Sequence, residues 1–423
     1  MTTMDQSSSL STEIASASIC IESKSIQSVE TASEFFRKEF IHNFSPSYFV
    51  GFLGTGITAN ILYNFPYPAK WLKICGIIMF CITMVIFITT NIMFILNAWA
   101  HPKRLRRYHT DLNESVFIAV YSMGFTTIVN AIHLLVHERH IYLVWVLWWI
   151  AVVIAVYNAT FIFFFTFLSK FTSHKLEQFT ATMLMPIVCP CVVSSSGHLI
   201  AANLTNTNHR VITEIASLIL FFVSLVLFHG IGAILMARFV LCKIPKTGQI
   251  FTMFIPIGFV GQSSYNMMLF ANNMYSFIPD KQLGQSFWVP CALFALCLLA
   301  GGYIYTFIAI ASTLSKIKPF ATKRDSALTS KTFGLIKWNK GFWTITFPIG
   351  TMSLANSEVS KATALGINLK FFKVVSCIYA ICLFVICIIN MLGVVHHIWN
   401  LVKCRGNVKP PVEVIHDNVI SKV

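Results

Sequence analysis

Charge is what this sequence has least of. Only 11% of its 423 residues are Asp, Glu, Lys or Arg, while 56% are hydrophobic. Soluble domains carry roughly a quarter charged residues, so the composition excludes an ordinary soluble domain and indicates an integral membrane protein. Acids are missing where catalysis would need them. The apolar stretches hold no paired carboxylates, and the nearest acids, Glu114 and Glu214, fall close to predicted ends. That removes a mid-membrane carboxylate relay. No Gly-x-Ser-x-Gly elbow, Ser/His/Asp set or Walker A sequence occurs, so neither a hydrolase nor an ATP-driven pump is expected. The chain has twelve cysteines, and Cys189-Pro-Cys191 leaves one residue between its thiols with no histidine at zinc spacing. No metal or cofactor is therefore expected. Most of the other cysteines also lie in apolar runs, where they read as buried thiols behaving as small hydrophobes. Residues 1–40 contain no apolar core, and no cleavable signal peptide is read there.

What is present is a series of long apolar runs. A bilayer crossing needs about 17–25 residues, and ten stretches qualify: 46–65, 71–97, 113–136, 142–169, 178–200, 211–237, 247–271, 286–313, 341–357 and 371–401. The formal charge of +15 raises nucleic-acid binding, but the basic residues lie in short connections between these runs. Sixteen of the 31 follow even-numbered spans and eight lie on the other side, which by the positive-inside rule puts both termini in the cytoplasm. Membrane topology accounts for the charge, and no nucleic-acid partner is expected. The organisation read from this is a disordered cytoplasmic tail at 1–43, a transmembrane domain at 44–402 and a cytoplasmic tail at 403–423.

Odd and even spans differ in kind. The odd ones carry Gly, Pro and neutral polar residues; the even ones are smooth runs of Phe, Ile, Leu and Val. With Gly56, Gly124, Pro190, Gly258 and Pro348 as centres, the spacings are 68, 66, 68 and 90, the last lengthened by a basic loop at 314–340. This is a weak internal repeat of five helical hairpins, with an inner ring of bent polar helices and an outer ring facing lipid. The stretch Gly341 to Asn356, with Pro348 and Gly350 at its centre, is the clearest case of an expected bend. Helices broken in a bilayer expose N–H donors and a positive dipole end, which suits an anion that binds weakly. An isolated Ser or Thr more often bonds a carbonyl of its own helix. The recurrence in five segments favours a lined path, with Thr58, Asn60, Thr126, Asn130, Ser194, Ser195, Gln262, Ser263, Thr351 and Ser353 as candidate lining.

Two single residues carry competing readings. His229, deep in the sixth span, is either a neutral ring bonded across helices or a proton-linked group. Phe347, beside Pro348, is either a core aromatic or the cap of a narrow path. Asn203-Leu-Thr205 is a glycosylation sequon whose loop is too close to the bilayer for ready occupancy.

The stretches Asn60 to Leu72 (NILYNFPYPAKWL), Leu147-Trp148-Trp149, Lys243-Ile244-Pro245, Gly261-Gln262-Ser263 and Lys340 to Leu354 (KGFWTITFPIGTMSL) resemble the tellurite-resistance/dicarboxylate transporter family. That slow anion channel-like family includes sulfite-exporting members of fungi, malic acid transporters and plant slow anion channels. The resemblance runs from about residue 44 to residue 402. It implies an all-α integral membrane fold of ten transmembrane helices, as five hairpins around a central pore. It also implies that a phenylalanine on the ninth helix occludes the pore, and Phe347 with Pro348 stands at that place. Members can assemble as trimers with one pore per subunit, which makes a homotrimer an expectation. The long regulatory tails of the plant channels have no counterpart, so kinase-driven gating of that kind is not expected. The implied activity is efflux of sulfite or bisulfite across a fungal plasma membrane by a multi-pass protein in contact with lipid. The alternative is a malate or C4-dicarboxylate transporter, which would want fixed cations in the path, and no Lys or Arg falls mid-span. An enzyme lacks its acids or metal ligands here, and a receptor lacks a large external surface.

Overall fold

The computed structural model describes residues 37–169, 176–245, 247–317, 320 and 338–406. Most of both expected tails, and most of the basic loop 314–340, lie outside the described residues. Contacts divide the chain into Ser45–His397 and a second unit whose described parts are 37–44 and 398–406. The second unit consists of a π-helical turn, Arg37–His42, and the last turns of the final helix.

Every regular element among the described residues is helical. Ten long helices follow the ten apolar runs: α1 Val50–Tyr63, α2 Lys70–Ala100, α3 Leu112–Val136, α4 Ile141–Tyr157, α5 Met185–Ala201, α6 Thr207–Cys242, α7 Ile255–Phe277, α8 Lys281–Leu314, α9 Thr346–Lys361 and α10 Lys370–Gly406. Two π-helical turns, Asn158–Ile162 and Phe164–Leu168, prolong α4, and a short basic helix, Pro102–Thr110, joins α2 to α3. Polar caps start several of them. Asn206 accepts from the N–H groups of Asn208 and His209 at the head of α6, and Asp280 from those of Gln282 and Leu283 at the head of α8.

The prolines do not bend helices at their centres, as the sequence suggested. Pro186 and Pro256 are the second residues of α5 and α7, and Pro348 is the third of α9. In a first turn the missing N–H has no intrahelical partner to lose. Pro190 alone among these lies inside its helix. The irregularity is displaced to tighter 3₁₀ turns that lead into four odd helices: Pro46–Phe49, Ala181–Leu184, Thr247–Phe254 and Lys340–Ile345.

The odd helices close into a ring, α1 on α3, α3 on α5, α5 on α7, α7 on α9 and α9 on α1. They run parallel, because contacts advance together along each pair. Asn60 bonds the Thr127 carbonyl, Ser196 bonds Asn130, and Gln262 bonds Ser195. On α9, Phe347 and Pro348 face Gly258 while Thr351 faces Gly261. The even helices pack outside, with α10 held by Ser376 against Ser353 and by Tyr379 against Thr306. Burial follows position. In the most apolar window of each helix, 94% of residues are buried for α5 but 22% for α2, α8 and α10, so the outer apolar surface is left for lipid.

Among the described residues, seven helical segments, built on α2 to α6, α8 and α10, are long and apolar enough to cross a membrane. The others, α1, α7 and α9, are short or polar, and all three belong to the ring, where protein rather than lipid surrounds them. The cysteines depart from the expectation of general burial. Cys189, Cys191 and Cys387 are buried, whereas Cys81, Cys297 and Cys382 are exposed on outer helices.

Candidate functional site

Each ring helix contributes to one small cavity. α1 supplies Val50 and Leu53, α3 Val120 and Met123, α5 Met185 and Val188, α7 Ile255 and Gly258. The α9 segment supplies Trp343, Thr344, Phe347 and Pro348. The i, i+3 spacing puts each pair on one helix face. The cavity measures about 30 Å³, room for a water or two. Its lining includes no charged residue, and Thr344 is its one hydroxyl. That hydroxyl already bonds the carbonyls of Gly341 and Phe251. The structure thus has an apolar constriction at the level where all five ring helices meet.

Phe347 is 7% exposed and lies in this lining. Gly258 of the neighbouring α7 faces it, where an added Cβ would stand 3.4 Å from its Cδ1. No aromatic ring pairs with Phe347 among the described residues, so the surrounding aromatic contacts do not pin it.

Past the constriction, the same helix faces turn polar at one level. Seven residues on from Leu53, Met123, Val188 and Ile255 come Asn60, Asn130, Ser195 and Gln262, and four on from Phe347 comes Thr351. Seven residues are two turns, so these side chains share the lining face about 10 Å further along. Hydrogen bonds stitch the level together. Asn60 Nδ2 donates to the Thr127 carbonyl at 2.9 Å, Ser196 Oγ to Asn130 Oδ1 at 2.5 Å, and Gln262 Nε2 to Ser195 Oγ at 2.5 Å. An amide nitrogen has two N–H groups. Asn60 and Gln262 each use one on these partners, and Asn130, half-buried, uses its oxygen. Asn60 Oδ1 is buried without a partner among the described residues, and Asn60 also borders a small cavity with Gly76 and Phe80 of α2 and Ala131 of α3.

The ten expected lining residues therefore separate into two groups. Asn60, Asn130, Ser195, Gln262 and Thr351 share the polar level. The other five are directed elsewhere. Thr58 and Thr126 donate to Gly54 and Ser122 of their own helices, Ser194 to the Ser217 carbonyl of α6 and Ser353 to that of Ser376 on α10, while Ser263 meets Cys191. Ser195 and Thr351 also donate to carbonyls of their own helices, Val192 and Pro348. The hydroxyls are thus mostly satisfied internally, and the free donors are amides. His229 is exposed on the outer side of α6, with Nδ1 bonded to the Leu225 carbonyl one turn back, and it does not reach the ring interior. Asn203 of the sequon is bonded to His133.

Sequence reasoning missed the apolar lining itself and a buried pair, His198 and Glu214, joined by Asn273. The lining carried a signal, because each of its members lies within six residues of a repeat centre. The pair carried none, since it joins residues on different helices.

A closed ring of buried helices, an apolar jacket and an uncharged constriction beside a polar level define a multi-pass membrane transport protein rather than an enzyme. Comparison with known proteins agrees. The SLAC1 family model, described as voltage-dependent anion channel, matches residues 43–395, and the chain belongs to that family. It is 43% identical to the sulfite efflux pump SSU1 of Candida albicans over 354 residues, 83% of this chain and 73% of that protein. Against the Saccharomyces cerevisiae protein of the same name the identity is 29%, covering 82% and 86% of the two chains. An uncharacterised transporter of Methanocaldococcus jannaschii is 22% identical over 77% of this chain and 87% of its own.

Proposed function

We propose that this protein exports sulfite, as the sulfite or bisulfite anion, across a fungal plasma membrane through the ring of odd helices. The names of the fungal relatives supply the substrate. The observation that carries the mechanism is the pairing of an uncharged constriction at Phe347 with a level of amides two turns further on. Neutral donors hold a small anion weakly enough for it to leave. The inside-negative potential then favours exit by about 2.3 kcal/mol per charge per 100 mV, with no need for ATP.

In this reading all ten helices cross the membrane. With their 3₁₀ turns, α1 and α9 reach about 29 and 36 Å, enough for a hydrocarbon core of about 30 Å. The basic connections and both termini face the cytoplasm. The constriction lies toward that side and the polar level beyond it. Lys340, whose ammonium bonds the Tyr48 hydroxyl at 2.9 Å, stands near the cytoplasmic mouth and attracts anions to it. Phe347 is the gate, and its ring must swing away for an anion to pass. A path within one chain is compatible with the homotrimer, each subunit conducting separately.

Malate or another C4-dicarboxylate is the second reading. It has less support, because the side chains of the constriction and the polar level include no cation to hold a second carboxylate.

The test is sulfite flux from proteoliposomes at a set membrane potential, with malate, nitrate and chloride as competitors. Potential-driven sulfite flux, weakly inhibited by malate and about tenfold faster in Phe347→Ala, is expected. Malate-selective flux would move the protein to the second reading. Absence of flux from folded, inserted wild type and variant alike would overturn the transport mechanism as stated.

A further inference from the structure

One turn beyond the polar level, away from Phe347, α5, α6 and α7 enclose two titratable groups that the anion path does not use. His198 is fully buried and Glu214 is 4% exposed. Nδ1 of His198 hydrogen-bonds Oε2 of Glu214. Asn273 of α7 clamps both, donating to Glu214 Oε1 at 2.5 Å and to the His198 carbonyl at 2.7 Å. The Phe270 ring closes the site 5.5 Å from the imidazole. Nε2 of His198 is buried and has no partner among the described residues.

The charge of this cluster depends on one proton. A buried carboxylate is costly alone and persists when a partner shares its charge. With a neutral ring donating from Nδ1, the pair carries one negative charge, and Nε2 is left as a bare acceptor. Adding one proton makes the pair neutral overall. The neighbouring elements contribute few other charges. On α6, Arg210 lies one turn before Glu214, with its guanidinium on the Leu204 carbonyl and over the Phe277 ring, and His209 stacks on Trp145 of α4. On α3, His133 is bonded to Asn203. The contacts from α7, Asn273 and Phe270, are uncharged, as is Trp148 of α4, which donates to the Val193 carbonyl.

We infer that His198 and Glu214 form a proton-binding site that controls how readily an anion crosses the polar level. The inference rests on the anion-path reading above. Ser195 of that level is three residues before His198 on the same helix, about one turn away, in surroundings that screen charge poorly. When the pair is negative it repels an anion at the level; when it holds its extra proton it does not. The site lies toward the ends of α5 and α7 that face outward in the proposed topology, so external pH sets its state. Efflux is fast at acidic external pH and falls as that pH rises.

The experiment holds internal pH and internal sulfite constant in proteoliposomes and varies only external pH. This keeps the protonation of the transported anion fixed. Wild-type efflux is expected to fall about tenfold as external pH is raised. Glu214→Gln removes the charge, its oxygen accepting from Asn273 and its NH2 donating to Nδ1 of the other imidazole tautomer, and is expected to keep the acid-side rate throughout. His198→Gln is expected to shift the profile, and His229→Ala to leave it unchanged. Infrared difference titration of the purified protein supplies a readout independent of flux, in which the wild-type carboxylate signal is lost in Glu214→Gln and the imidazole signal in His198→Gln. Wild-type flux that ignores external pH overturns this site while leaving the anion path intact. A titration signal unchanged in Glu214→Gln overturns it as well, whether or not flux is seen.

Discussion

At the scale of single residues, the gate and its opposing glycine should be energetically coupled. A Cβ on residue 258 would stand 3.4 Å from Phe347 Cδ1 and from Pro348 Cγ, close enough to narrow the space into which the ring moves. Gly258→Ala is therefore expected to slow sulfite flux severalfold in wild type and to have little effect in Phe347→Ala. A double-mutant cycle measured on flux checks this, and equal effects in both backgrounds would separate the two residues. Gln262 offers a second test. Its amide bonds Ser195 and has an N–H to spare, so Gln262→Leu is expected to cut flux about tenfold in a folded protein while leaving Phe347 in place. Rescue by Gln262→Asn would not be expected, because the shorter amide retreats from Ser195.

At the scale of helices, the position of α9 depends on how closely α1 admits it. A Cβ at residue 54 would meet Thr346 Oγ1 at 2.5 Å and the Trp343 ring at 2.9 Å, and neither neighbour can yield without moving the start of α9. Gly54→Ala is expected to destabilise the protein by about 1–3 kcal/mol, read as a lowered midpoint of unfolding in detergent. Gly51→Ala is the matched control, since its Cβ would meet only Ile86 at an ordinary 3.6 Å. The 3₁₀ turns matter at this scale too. They lengthen short helices and deliver Trp343 and Thr344 to the cavity, although the sequence pattern suggested central proline bends.

At the scale of the whole molecule, the proposed ten crossings would put both termini on one side. A tag at either end, and the basic loop at 314–340, are expected to be protected from added protease in sealed right-side-out vesicles and cut after permeabilisation. Cutting of one tag and protection of the other would break the ten-span reading. The exposed outer thiols give an independent check. Cys81, Cys297 and Cys382 face outward from the ring, so lipid-soluble maleimide is expected to label them while Cys189 and Cys191 resist.

Sequence by itself marked the apolar runs that the long helices follow, and their alternation, because burial in lipid demands long apolar runs and the basic loops mark their ends. It also offered Phe347 and ten polar residues as candidates for the flux measurements above, since polar groups and glycines stand out in apolar helices. Only tertiary structure decided which hydroxyls bond within their own helix or to an outer one. Thr58, Thr126, Ser194, Ser263 and Ser353 match the others in type and depth, and a rotation of one residue along a helix, about 100°, turns a side chain from the axis to a neighbour. Tertiary structure also moved the candidate proton site from His229 to His198. A lone histidine in an apolar run draws notice in sequence, but its partner is set by helix packing. Glu214 and Asn273 meet His198 across three helices, a proximity that no local spacing encodes.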